Sequence, residues 1–314
     1  LLFKYVGKKA AEAALKTQGQ FSLRFNLPKN YNDPYELFLN TDKPLETREE
    51  IAFYECFLRE LPDEAVTCFS KRPESVVMWA HYCGEGTGIC LAIDENDLVN
   101  QFEQAFIDDV EYTAVPAMVS AYDVKYACTT KKNRHTEQLM RMAMRAAYFR
   151  KRADWSYEHE RRLVVSKELV PEIDGRMIAT FPASCLRFII LGPKAESSLV
   201  EHVVDWAGRS GISVLQMCYS RKRYQPFFTS NDKSFEWRDG AFVSPLFRCA
   251  ECMEPIEQDT RVCEWCQISD EDKHLALISS QFALFRMYGL ATGVPLPFDT
   301  LEPKGRHYRK EDEA

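Results

Sequence analysis

The sequence predicts an α+β protein: a mixed α/β body followed by a small C-terminal module of the zinc-ribbon type. Three observations carry this expectation. Short apolar runs bounded by turn residues alternate with stretches of helical spacing over residues 1–228. A strand–helix–strand succession closes that body. Beyond it stand two C-x-x-C knuckles, Cys249-Ala-Glu-Cys252 and Cys263-Glu-Trp-Cys266, with ten residues between them.

Residues 21–25 alternate apolar and polar as a half-buried strand does, and 49–60 have helical spacing behind Thr47, a capping residue. The runs 67–70 and 88–93 read as buried strands, with a short helix over 74–82 between them that ends at Gly84, Gly86 and Gly88. Leu139, Met142, Ala143, Ala146 and Phe149 fall on one helical stripe, predicting a helix over 134–153. Strands are then expected at 160–165 and 186–192, the second stopped by Gly192-Pro193, followed by a helix over 199–210 and a strand over 212–217. Residues 229–247 read as a linker, 248–268 as the metal module, and 269–314 as a helix (270–290) packed on that module plus a charged tail.

A chain of 314 residues, 46% of them hydrophobic, can bury a sizeable core. No apolar run approaches the ~20 residues that span a bilayer, and the opening residues are too short for the apolar region of a signal peptide, so a cytoplasmic location is expected. Four thiolates at the knuckle spacing close a tetrahedral S₄ site, the geometry of structural zinc. That site has no open position for chemistry; the competing readings are a redox pair or core thiols. The other seven cysteines (Cys56, Cys68, Cys83, Cys90, Cys128, Cys185, Cys218) fit reduced, mostly buried thiols better than a disulfide framework. A net charge of −7 argues against nonspecific coating of nucleic acid. Residues 130–162 nevertheless hold ten basic side chains against four acidic ones, which suits either a phosphate-bearing ligand or a solvated helix face.

The segment most suggestive of chemistry is Trp155-Ser-Tyr157-Glu158-His159-Glu160-Arg161-Arg162. In an extended chain Glu158 and Glu160 project to one face, where a carboxylate can bind ribose hydroxyls and stabilise an oxocarbenium-like transition state. The alternative is a pair of structural carboxylates matched by Lys151, Arg161 or Arg162. Asn30-Tyr31-Asn32-Asp33-Pro34-Tyr35-Glu36 reads either as a turn whose side chains cap nearby amides or as a place where two aromatic rings stack on a flat ligand, and Trp79 and Tyr82 are either core residues or ligand-stacking rings. The glycines spell neither a Rossmann nor a P-loop cradle. The six histidines lack ligand spacing for a second metal site.

Taken in order, Lys4-Tyr5, Asn32-Asp33-Pro34-Tyr35-Glu36, Cys68-Phe69-Ser70, Met78-Trp79-x-x-Tyr82, Gly88-Ile89-Cys90 and Trp155-x-Tyr157-Glu158-x-Glu160-x-Arg162-Leu163 resemble the bacterial domain-of-unknown-function 2971 family over residues 1–192. Tyr31 and Tyr35 stand where the usual F-N-D-P-F-E has phenylalanines. The arrangement is also distantly similar to ADP-ribosyltransferase domains, including the DNA-modifying toxin type. That likeness implies Glu160 as catalytic glutamate with Glu158 beside it, Lys4, Tyr5 and Arg24 near a dinucleotide, and Trp79 and Tyr82 near its nicotinamide end. The expected function is therefore an NAD-dependent ADP-ribosyltransferase or NAD glycohydrolase acting in phage defence or as a toxin, with structural zinc and NAD as co-substrate. Its partners would be a nucleotide ligand and a nucleic-acid or protein acceptor. The alternative is a non-catalytic module that binds nucleic acid or protein through the basic helix and the zinc ribbon.

Overall fold

The computed structural model describes residues 1–31 and 33–279. Ten strands form one sheet through its centre. In chain order they are β1 (Leu2–Val6), β2 (Ala65–Ser70), β3 (Ile89–Ile93), β4 (Ala105–Asp109), β5 (Glu160–Val165), β6 (Leu186–Leu191), β7 (Ser213–Cys218), β8 (Phe227–Ser230), β9 (Lys233–Arg238) and β10 (Ala241–Val243). Across the sheet the order is β10-β9-β8-β7-β6-β3-β1-β2-β5-β4. Strands β6 and β7 pair in parallel through the helix Ser197–Ser210, the crossover that the strand–helix–strand succession predicts.

One face of the sheet buries Leu91, Phe69 and Leu163 against Leu199 and Trp206 of that helix and against Phe21 and Phe181 of a three-stranded sheet. The other face packs Phe3, Tyr5, Trp79, Phe228 and Trp237 together. A third cluster, Leu39, Phe57, Val124 and Ala143 among its members, joins the helices Arg48–Arg59, Ala121–Thr130 and Asn133–Tyr148. Thr47 and Glu50 form a reciprocal capping box at the start of the first of these. The glycine-rich turn before β3 serves close backbone approach: a Cβ on Gly88 would stand 2.1 Å from the Val6 carbonyl oxygen.

Three expectations need correction. Residues 229–247 are not a linker, because β8, β9 and β10 form an antiparallel meander continuing the main sheet, with Phe228 and Trp237 in the core. Asp239-Gly240, both with positive φ, makes the two-residue turn between β9 and β10. The D-G signal was present, but Asp232, Lys233, Arg238 and Asp239 mask the strands' alternation. The basic helix ends at Tyr148, since residues 150–152 pair as a short strand with Glu111–Thr113. The helix Asp270–Ser279, expected to be packed on the metal module, has residues 270–276 exposed. Residues 280–290 of the expected helix and the charged tail lie outside the described residues.

Candidate functional site

Glu158 and Glu160 lie at the centre of a buried cluster of charges drawn from distant parts of the chain. Glu158 ends a 3-10 turn (Ala153–Glu158), His159 adopts the left-handed conformation at φ 44°, and Glu160 opens β5. The pair is therefore bent and not extended; the ordering of His159 between them stores strain of roughly 1–3 kcal/mol. Both carboxylates still reach Lys151, whose Nζ donates to Glu158 Oε2 at 2.7 Å and to Glu160 Oε2 at 3.3 Å. Arg162, fully buried, donates through Nε to Glu160 Oε1 at 2.8 Å and through Nη2 to Oε2 at 3.2 Å. Its Nη1 donates to Glu36 and, at 2.7 Å, to the Tyr148 carbonyl oxygen. Tyr31 lies beneath the guanidinium, 5.7 Å from ring centre to Cζ.

The two glutamates differ electrostatically. Burial by itself would raise the Glu160 carboxyl, but Arg162 and Lys151 outweigh it and hold the group well below the usual carboxylate range. Burial raises Glu158 above that range, against the opposing pull of Lys151 and Tyr82. Tyr82, which is 36% exposed, donates its hydroxyl to Glu158 Oε1. Burial and that hydrogen bond push its phenol well up. Rings neighbour the partners of this carboxylate: His81 is 6.4 Å from Tyr82 and 5.6 Å from Tyr157, Trp155 is 6.2 Å from Tyr157, and Lys151 lies 4.8 Å over Trp155.

The other expected ligand residues are scattered. Trp79, 1% exposed, donates Nε1–H to the Pro73 carbonyl oxygen at 2.8 Å and packs edge-on against Tyr5, so both are core residues with no surface for a nicotinamide ring. Tyr5 donates its hydroxyl to the Arg72 carbonyl oxygen at 2.5 Å. Lys4 donates to Thr67 Oγ1 at 2.9 Å and the Cys68 carbonyl oxygen at 2.8 Å, and burial lowers its pKa. Arg24 is exposed on the strand Gln20–Phe25. Lys4, Tyr5 and Trp79, which the resemblance places near a dinucleotide, are thus engaged in the molecule's own packing.

Glu36 escaped the sequence reading. The Asp33 carboxylate accepts from Tyr35 N at 2.9 Å, forming a turn that delivers Glu36, with a side chain 3% exposed, onto Arg162. The turn signal was legible, but its destination on β5 was not. Tyr112, whose hydroxyl accepts from Glu160 N at 2.8 Å, was missed as well, because nothing local distinguishes it.

The expected metal site is assembled from local elements. All four ligand sulfurs of Cys249, Cys252, Cys263 and Cys266 lie within 4.8 Å of one another. Zinc–sulfur bonds of about 2.3 Å at tetrahedral angles place sulfurs about 3.8 Å apart, so the quartet fits one metal ion. Burial opposes the Cys249 thiolate, but amide N–H groups of Cys252, Cys263 and Glu251 overcome it and bring the thiol to about 7. The module is anchored to the sheet: Glu254 accepts from Ser220 Oγ and Arg221 N, and Ser234 donates to the Met253 carbonyl oxygen at 2.5 Å.

The basic helix and the short strand after it are partly neutralised across a groove, where Arg145 faces Asp108 at 3.3 Å and Arg150 faces Glu111 at 2.9 Å. A family model described as a protein of unknown function (DUF2971) matches residues 78–163. That span holds Tyr82, Lys151, Glu158, Glu160 and Arg162, and leaves out Lys4, Arg24, Glu36 and the quartet Cys249, Cys252, Cys263 and Cys266. No curated protein and no solved structure matches the chain. Among the described residues no helix is long and apolar enough to cross a membrane.

Proposed function

We propose that the Glu158 cluster is a nucleotide-sugar site and that the chain is an ADP-ribosyltransferase-like enzyme or glycohydrolase that consumes NAD. One observation carries the reading: a buried carboxylate, Glu158, is held by Lys151 and the partly exposed Tyr82, which neighbour the rings of Trp155 and His81 respectively. A carboxylate in so poorly solvated a place stabilises developing positive charge strongly, as cleavage of a ribosyl–nitrogen bond requires. Nicotinamide leaves with the bonding electron pair, and an acceptor nucleophile, or water, adds at the ribose carbon with loss of its proton.

The roles within the pair change from the sequence expectation. Glu160 spends its charge on Arg162 and Lys151, and acts as the group that positions Lys151. Glu158, bonded to the partly exposed Tyr82, is assigned contact with the sugar. Zinc at the cysteine quartet is structural, since four sulfur ligands leave no position for substrate.

The binding-module alternative draws on the arginines of the basic helix and the strand after it, but Asp108 and Glu111 answer Arg145 and Arg150. The discriminating experiment is nicotinamide release from NAD by wild type and by Glu158→Gln. Release by wild type alone, with both proteins folded, supports the transferase reading; absence of release with any nucleic-acid or protein acceptor returns the chain to the binding-module reading.

A further inference from the structure

The helices Ala121–Thr130 and Asn133–Tyr148 form a hairpin whose joined end carries a row of rings. Tyr122 and Tyr126, one turn apart on the first helix, stack at 5.8 Å with their planes 10° apart, and Tyr126 lies 4.4 Å from His135 of the second. The His135 ring is fixed on both sides: Thr130 Oγ1, which donates to the Tyr126 carbonyl oxygen at 2.8 Å, lies 2.7 Å from Nδ1, and Arg134 Nε donates to Nε2 at 3.0 Å. Tyr122 ends the row, 69% exposed and with no further ring on it among the described residues. An aromatic face left in water at the end of a rigid row gains by stacking on another flat ring.

Beside the rings, Lys132 and Arg134 stand where the fold favours the opposite charge. Lys132 is the N-cap of the second helix, a place where Ser, Thr, Asp or Asn normally binds the free amides, and no side chain caps that helix. The first turn, which includes Arg134, holds no acid, so these cations meet the positive end of the helix dipole. Lys131 adds a third cation, exposed in the connecting turn at φ 51°. Arg145 and Arg150 are each answered by a carboxylate, whereas among the described residues Lys131, Lys132 and Arg134 form no ion pair. Glu46 and Glu50 are taken up by Lys125, which leaves Glu137 as the exposed acid of the next turn. Unspent positive charge at an uncapped helix start calls for an anion from outside the chain.

We propose that this end of the hairpin binds a single strand of nucleic acid, with a base stacked on Tyr122 and neighbouring phosphates on Lys131, Lys132 and Arg134. Aromatic faces set among cations hold single strands with little regard to sequence. A duplex meets the cations equally well but has its base faces covered by its own stacking. None of these residues lines the groove in which Arg145 and Arg150 are neutralised. The proposal does not rest on the NAD reading, because it concerns binding alone.

The test is fluorescence anisotropy with the full zinc-loaded chain and no NAD, using labelled oligothymidylate and oligouridylate, a DNA duplex of the same length, and inorganic polyphosphate as a competitor without bases. Either single strand should bind at least about tenfold more tightly than the duplex, and polyphosphate of equal charge should compete poorly. Tyr122→Ala, which removes an exposed ring, should weaken the single strand about tenfold and leave its salt dependence as it is. Lys131→Asn combined with Lys132→Ser keeps the left-handed turn and supplies the missing cap, so the fold should hold or gain in melting temperature. In that variant the slope of log affinity against log salt should fall by about 1.4, two phosphate contacts at about 0.7 each. Equal affinity for duplex and single strand overturns the proposal, as does polyphosphate that competes as well as an unlabelled strand, failure of both single strands to bind, or wild-type affinity in both variants.

Discussion

The charged cluster around Glu160 and the cysteine quartet both gather costly groups in a small volume, yet they are built in opposite ways. The quartet comes from residues 249–266, and the metal that fits it supplies the countercharge. The cluster draws on Glu36, Tyr82, Lys151 and Arg162, brought together by a turn, a helix and two strands, and supplies its own cations. A local site survives loss of distant packing and fails when its ion leaves. A site assembled over long range fails when any one element is displaced, because an unpaired charge then stays buried.

Chelation should therefore produce the largest and most localised effect. The protein should carry about one zinc per chain, and its removal should release amide protection across residues 247–267 while the body keeps its cooperative transition. Strict metal-free protein with the same protection would break the contrast at once. The meander next to the module should loosen in part, since Glu254 and Met253 tie it to residues 220–221 and 234.

Truncation of Arg162 comes next. Arg162→Ala leaves Glu36 and Glu160 facing each other in the interior and should destabilise the body by roughly 3–5 kcal/mol in denaturant melts, with zinc content unchanged. Glu160→Gln should cost somewhat less. Its cost follows from the bidentate pair with Arg162.

Acid titration sharpens the comparison further. Glu160 has its folded pKa depressed, so its contribution is complete above the ordinary glutamate value of about 4.3 and is lost as pH falls below that toward the folded value. Glu36 and Glu158, both raised by burial, act with the opposite sign: what they contribute is present at low pH and lost as pH rises through their folded values. Melts of wild type should thus steepen in their loss of stability below about pH 4, and Glu160→Gln should flatten that slope. An identical slope in the two proteins would mean that Glu160 is not ion-paired in solution.

The smallest effect belongs to the exposed arginines. Replacing Arg145 and Arg150 with alanine should change stability by no more than about 0.5 kcal/mol each, because both pairs are on the surface. Weak phosphate-ligand binding that loses salt sensitivity in this variant would revive a nucleic-acid role for the helix.

How far these features could be read from the sequence follows the same division. The knuckles and the Thr47 cap depend on residues a few positions apart, and both are found where their spacing places them. The strand at 160–165 was legible from its apolar run, but the cations that neutralise Glu160 and the presence of Glu36 depend on register between β2 and β5 and on where a turn points. Periodicity carries no information about either. The β9 strand was hidden for a different reason: its buried polar residues, Ser234 and Glu236, bond to the metal module and to Arg223, so they do not look like core positions in sequence.

The most direct test of the central claim is single-turnover release of nicotinamide from NAD, measured with wild type and Glu158→Gln side by side, with melts showing that both are folded. The account predicts release by wild type, and a loss of at least about a hundredfold in the variant with NAD affinity little changed, as removal of transition-state stabilisation alone requires. Equal rates in the two proteins, or a folded wild type that neither binds nor cleaves NAD, would contradict it.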